Sequence, residues 1–388
     1  MFQVGRKDGT DLKRDGIAAA ELSPRPATEA PAHGRPAGPS AGAGAPTARR
    51  ESKARALWSA GPLRLTRLAG PLASLAVLAF VFSITGRHFA AASNIQSILF
   101  TGAVLAIAVV GQGIVVITRN LDLSIGAVMA SGGYFSILLY IHVPAVGPIL
   151  IPIAVAIGGA LGAVNGLAVA YLRIPSLVAT LGTMSIFRGL LYASLGGRDL
   201  DTDQLPPWLL NFVSSTVLGV PATAAVAIGV ALAVGLLLQR TQFGRTVYAV
   251  GSNPNAAAFY GLPLRLTILR AYALDGAIAG IAGLMLAGEV GTVTVDIASG
   301  WELETLAAAV IGGMSLLGGS GSVTGAVLGA LILTTIDNGL IQAGASGDWQ
   351  NFVRGFVILA AVALDLIWKH RRSSRIRLLG RNREAAER

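Results

Sequence analysis

Residues 99–118 read LFTGAVLAIAVVGQGIVVIT, twenty residues without one charged side chain. A helix rises 1.5 Å per residue, so this stretch reaches about 30 Å, the thickness of a bilayer's hydrocarbon core. Set against the same measure, nine more apolar stretches are candidate spans, at 68–86, 121–141, 149–171, 176–195, 217–238, 267–287, 302–317, 323–341 and 350–368. The pattern predicts an all-α integral membrane protein of about ten transmembrane helices. The eighth span is short and the fifth is rich in glycine.

Composition agrees with that solvent. Of 388 residues, 53% are hydrophobic and 13% charged, and the mean hydropathy is +0.65. Soluble domains carry about 25% charged residues, so a surface built from this chain must face lipid. The 49 glycines supply the small residues that let membrane helices approach closely. There is no cysteine, and His33, His88, His142 and His370 are too scattered to ligate a metal. No metal site, cofactor or catalytic residue is expected.

The net charge of +10 sits at the ends. Residues 1–67 hold twelve Lys/Arg against six acids and residues 369–388 hold eight against two, whereas the middle is −2. Basic ends flanking an apolar middle place both termini in the cytoplasm. An even number of spans agrees. Arg119, Arg173, Arg240, Arg245 and Arg265 then fall inside, and GGRDLDTDQLPPW (196–208) falls outside. No groove-reading or aromatic element in the tails suggests nucleic acid. Three regions are expected: a disordered basic tail (1–66), a transmembrane domain (67–368) with a cytoplasmic loop at 240–266, and a second basic tail (369–388). The first apolar run starts near Leu68, too late for a cleaved signal peptide.

A weak repeat relates 162–190 to 325–356 through their opening Gly-Ala-Val and closing Arg-Gly, and relates LDLSIGAVMASGG (121–133) to ELETLAAAVIGG (302–313). The partner spans run in opposite directions, which describes two inverted halves. Chance likeness among Gly/Ala-rich helices is the alternative.

The polar loop TQFGRTVYAVGSNPNAAAFYGLPLRLTILR (241–270) is far longer than a turn needs. Ser252-Asn253-Pro254 reads as a helix start, with Asn as N-cap and Pro in the first turn, and Gly261 reads as a stop. A two-turn amphipathic helix at the membrane face follows. On the residues alone it is an ordinary solvated loop, a helix resting on lipid, or a docking helix for a partner.

At this loop the chain resembles the permeases of ATP-binding-cassette importers for ribose, xylose, arabinose and galactose. TRNLDLSIGAVMA (118–130), SLVATLGTMSIFRGL (176–190), ELETLAAAVIGGMSLLGGSGSVTGAVLGA (302–330) and WQNFVRGFVILAAVALD (349–365) extend the likeness in the family's order. Ile336-Asp337-Asn338-Gly339 is similar to the xylose-type branch. The resemblance implies a permease paired with a second copy as a homodimer, a cytoplasmic dual-cassette ATPase that binds the ATP, an extracytoplasmic sugar-binding protein, and a monosaccharide substrate. It implies that Gly251, Asn253, Pro254, Ala256, Ala257 and Gly261 form the helix that docks in the ATPase. Consistent with this division of labour, no GxxxxGK[ST] phosphate loop occurs in the chain.

Charged groups within spans are the remaining candidates, because a carboxylate in hydrocarbon costs at least ~2.5–3.5 kcal/mol. Asp122, Asp275, Glu302, Glu304, Asp337 and Asp365 qualify. Asp365 precedes Lys369 by four residues and is read as paired with it. Asp122 is read either as a clasp partner of Arg119 or as a substrate contact. Asp122, Ser124, Glu302, Asp337 and Asn338 are the candidates for the translocation path or gate. Three other readings compete with this one. A branched-chain amino acid permease shares the topology but not this motif combination. An ion-driven transporter calls for a titratable cluster at mid-membrane, and a membrane enzyme for converging catalytic groups.

Overall fold

The computed structural model describes residues 62–363, apart from 87, 197, 198, 348, 351, 354, 357, 358, 361 and 362. The expected N-terminal tail up to residue 61, most of the tenth span with Asp365, and the C-terminal tail lie outside the described residues.

The chain forms α1 (Pro62–Thr85), α2 (Ala92–Ile117), α3 (Ile125–His142), α4 (Leu150–Ala170) and α5 (Ser176–Leu195). There follow α6 (Pro207–Ser214), a two-stranded hairpin β1 (Thr216–Val217) and β2 (Val220–Pro221), and α7 (Ala222–Arg240). Next come α8 (Gln242–Ser252), α9 (Pro254–Phe259), α10 (Leu264–Val290), α11 (Trp301–Ile311) and α12 (Val323–Gln342). Seven of the described helices are long and apolar enough to cross a membrane, and α1 adds a shorter apolar stretch at Ala69–Thr85.

Cross-links define two ends. At one, Gly319 N donates to Ile117 O (2.9 Å), and Ser176 Oγ accepts from Leu121 N (3.3 Å). At the other, Leu200 and Val293 exchange backbone hydrogen bonds, and Gln342 Nε2 donates to Asn94 Oδ1 (2.7 Å). Arg119, Arg173, Arg240, Arg245 and Arg265 lie in the links or helix ends at the first end; Asp199, Asp201 and Asp203 lie at the second. We call these the basic and acidic ends.

Helix α2, which contains the opening stretch, is the axis of the bundle, with its residues from Gly102 to Ile117 buried. It contacts α7, α8, α10, α11 and α12. Helix α10 packs backbone to backbone on α4. A Cβ at Gly158 would lie 2.1 Å from Gly276 O, and one at Gly280 would lie 2.0 Å from Ala154 O. Without a hydrophobic drive between helices already in lipid, this close van der Waals approach is what holds them together.

Two expected spans are corrected. The eighth, read as 302–317, is an 11-residue helix of about 16 Å, half the hydrocarbon core. The chain covers the remaining depth through the irregular segment 291–300, which descends from Val293 at the acidic end. The third span, read as 121–141, becomes helical only at Ile125. Gln112 Nε2, more than a turn inside the end of α2, donates to Asp122 O (3.0 Å), so residues 121–124 fold back into the bundle. Segments 121–124 and 291–300 are each a non-helical lead into a helix, α3 and α11, and those two helices run in opposite directions. Their first turns touch: a Cβ at Gly126 would lie 2.4 Å from Ala298 O and 2.8 Å from Glu302 Oε2.

Candidate functional site: a capped helix at the basic end

The loop after α7 is two helices, not the single one expected. Thr241 caps α8 by accepting from Gly244 N (3.2 Å). Asn253 ends α8 and starts α9: its Oδ1 accepts from Ala256 N (3.0 Å), with Pro254 in the first turn. The stop is equally definite. Gly261 N donates to Ala258 O and Leu262 N to Ala257 O (both 3.0 Å), the paired bonds of a Schellman turn, and Gly261 takes φ +72°. A side chain in that region is disfavoured, so glycine suits the position.

Gly251 serves differently. A Cβ there would lie 1.7 Å from Ile117 O and 2.7 Å from Gly319 N, so α8 rests with bare backbone on the junction of α2 and the 312–322 loop. Tyr248 Oη donates to Gly321 O (3.0 Å), and burial raises the pKa of its phenol, which keeps it a donor. Ala257 is buried beneath α9, Ala256 is half-buried, and Asn253 is exposed. The outward face carries Phe259 and Tyr260, 88% and 79% exposed, packed edge to face with centroids 5.8 Å apart. Two bare aromatic rings thus stand on a capped helix that follows directly from α8, itself seated on the central helix of the bundle.

The path candidates lie elsewhere. Asp122 and Ser124 are buried in a hydrogen-bond network. Ser124 N and Oγ donate to Asp122 Oδ1 (2.7 and 2.6 Å), and Asn165 Nδ2 donates to Ser124 Oγ (2.6 Å) and Asp122 Oδ2 (3.3 Å). Thr183 Oγ1 donates to Asn165 Oδ1 (2.5 Å), and Tyr272 Oη to Leu121 O (2.8 Å). This clamps 121–124 to α4, α5 and α10. The clasp with Arg119 does not form: Arg119 Nε donates to Leu317 O (2.6 Å). Asn338 Oδ1 accepts from Asn94 Nδ2 (2.9 Å) and so latches α12 to α2 at the acidic end, with Asp337 half-buried beside it. Glu302, in the first turn of α11, favours that helix's positive N-terminus. The structure thus keeps the six residues of the capped loop together, brings Glu302 against the first turn of α3 just after Ser124, and sets Asp337 and Asn338 apart at the acidic end.

The model of the family described as "Branched-chain amino acid transport system / permease component" matches residues 94–362. The chain is similar to the autoinducer 2 import system permease protein LsrC of Klebsiella pneumoniae, 36% identical over 70% of this chain and 78% of the relative. It is 32% identical to LsrC of Escherichia coli K12, over 76% and 86%. The chain belongs to this permease family. No solved structure matches it. The permease is a multi-pass protein of the bacterial cell membrane, and its relatives are named as transport subunits.

Sequence reasoning missed two parts of this permease. Phe259 and Tyr260 were in view, but only the cap geometry turns them outward. Arg188 on α5 was quoted only within a motif. Its Nη1 donates to Val295 O and to Ile297 O (2.9 Å), carbonyls of the irregular 291–300 segment. Backbone without helical partners is tolerated at membrane depth only where the protein satisfies it, and Arg188 does so. A lone arginine in an apolar span was the signal available.

Proposed function

We propose that this permease is the transmembrane subunit of an ATP-binding-cassette importer and docks a separate ATPase through α8 and α9. The observation that carries the reading is the exposed Phe259–Tyr260 pair on a helix fixed at both ends and seated on Ile117. A displacement of such a knob passes to the bundle rather than being lost in a loop. The basic end is then cytoplasmic, with both termini on that side. Gly251, Asn253, Pro254, Ala256, Ala257 and Gly261 build the knob, and ATP is bound by the partner chain. A second copy and an extracytoplasmic binding protein complete the assembly.

The substrate is a monosaccharide or a solute of like polyol chemistry. The Ile336–Gly339 motif favours a pentose such as xylose, and the relatives' names point to autoinducer 2. The family's description supports a second reading, branched-chain amino acids. Uptake of labelled xylose, autoinducer 2 and leucine separates these.

The docking test is Phe259→Asp with Tyr260→Asp. Uptake should fall more than about tenfold and the ATPase should no longer copurify, while membrane level and melting temperature hold. A tenfold loss corresponds to about 1.4 kcal/mol of contact energy, modest for two aromatic anchors. Survival of both uptake and copurification overturns the assignment.

A further inference from the structure

At the acidic end, a cavity of about 590 Å³ lies between the start of α2, α6, the hairpin and the end of α10. That volume falls within the roughly 300–1,000 Å³ of small-molecule sites. Gln96, Ser97, Asn211 and Ser214 present amides and hydroxyls to it, and Phe100 presents a ring. Glu289, on the last turn of α10, lines it too. Thr101 Oγ1 donates to Glu289 Oε1 (3.0 Å), but Oε2 is buried with no hydrogen-bond partner among the described residues. A buried acceptor in that state is costly until a donor reaches it.

The lining decides which donor. Among the described residues no lysine or arginine lines the cavity, so the carboxylate of an amino acid would find no counter-charge from them. A neutral molecule with several hydroxyls fits each group: one O–H donates to Glu289, the amides and serine hydroxyls pair with the others, and a C–H face rests on Phe100. We propose that this cavity is an outer holding site for a small neutral polyhydroxylated solute. Glu289 is the acceptor that fixes the solute, and Thr101 is the positioning residue for Glu289. The site rests on the importer reading, yet it shares no residue with the docking helix or with the motifs that suggested transport.

The absence of cysteine makes the test direct. Ser97→Cys and Ser214→Cys are introduced singly into the full chain, expressed with its partner subunits in right-side-out vesicles. Both are labelled with a membrane-impermeant maleimide. Xylose or ribose should slow labelling at both positions and leucine at neither, while labelling of the control Ser346→Cys, exposed after the end of α12 and outside the cavity, is unaffected by any of them. Adding Glu289→Gln should raise the half-protecting sugar concentration about tenfold at unchanged melting temperature, and Thr101→Ala should do so in part, in keeping with the greater strength of hydrogen bonds to a charged acceptor. Labelling without sugar protection, equal protection by leucine, or cysteines that label only after denaturation each overturn the holding site. Sugar uptake that persists alongside any of those results leaves the importer reading standing.

Discussion

Gly251→Ala is the sharpest test of how α8 is joined to the bundle. The new Cβ would sit 1.7 Å from Ile117 O, whereas a carbon and an oxygen settle at about 3.3 Å or more. Helix α8 must therefore retreat by about 1.6 Å from α2, and Gly319 N, 2.7 Å from the same Cβ, is displaced with it. Two costs follow. Overpacking against rigid backbone costs about 1–3 kcal/mol. Losing the 2.9 Å bond from Gly319 N to Ile117 O costs a further ~0.5–1.5 kcal/mol. The total of about 1.5–4.5 kcal/mol is roughly a 10- to 1,600-fold shift in the equilibrium between seated and detached α8. Purified protein in detergent should melt about 5–10 °C below the parent, at the few degrees per kcal/mol usual for chains of this size. Uptake should fall with it. Gly261→Ala is the control. A Cβ there meets nothing within 4 Å and costs only the ~1–2 kcal/mol of a left-handed backbone. If Gly251→Ala melts within about 2 °C of the parent and transports normally, the close seating of α8 on Ile117 is wrong.

Arg188→Met should destabilise the α11 crossing by about 3 kcal/mol or more, because the carbonyls of Val295 and Ile297 lose their donor. Thermal melting reads this, with Arg188→Lys intermediate because an ammonium lacks the planar fork; an unchanged melting point for Arg188→Met refutes it. Asp275→Asn should be neutral or stabilising. The carboxyl group is buried with neither oxygen hydrogen-bonded among the described residues, so the isosteric amide takes its place without breaking a side-chain hydrogen bond. A melting point lowered by more than about 5 °C would show that Asp275 holds a partner through its charge.

Charge and hydropathy made the architecture legible before any coordinates. An uninterrupted apolar run such as 99–118 has one stable conformation in lipid, a helix, since every backbone group must be satisfied within the segment. The capped helix was legible for a similar reason. Asn253-Pro254 and Gly261 act through bonds to backbone groups within a few residues, and the sequence spells those out. Asp122 shows the limit. Its motif was recognised, but hydropathy placed it at a span end beside Arg119. The fold instead turns 121–124 back into the bundle, where Ser124, Asn165 and Thr183 surround it.

By itself, then, the sequence determined the solvent, the number of apolar stretches, the asymmetry of charge and the capped helix at 254–259, all properties set locally or by the bilayer. Only the tertiary structure decided which apolar stretches stay helical throughout. Residues 302–317 look like a span because hydropathy sums over residues without regard to which distant group satisfies their neighbours' carbonyls. The break before Trp301 exists because Arg188, more than a hundred residues earlier, reaches Val295 and Ile297. Glu289 met the cavity, and Phe259 with Tyr260 turned outward, by the same kind of long-range placement. Contacts of that separation are fixed by packing, and a linear pattern does not contain them.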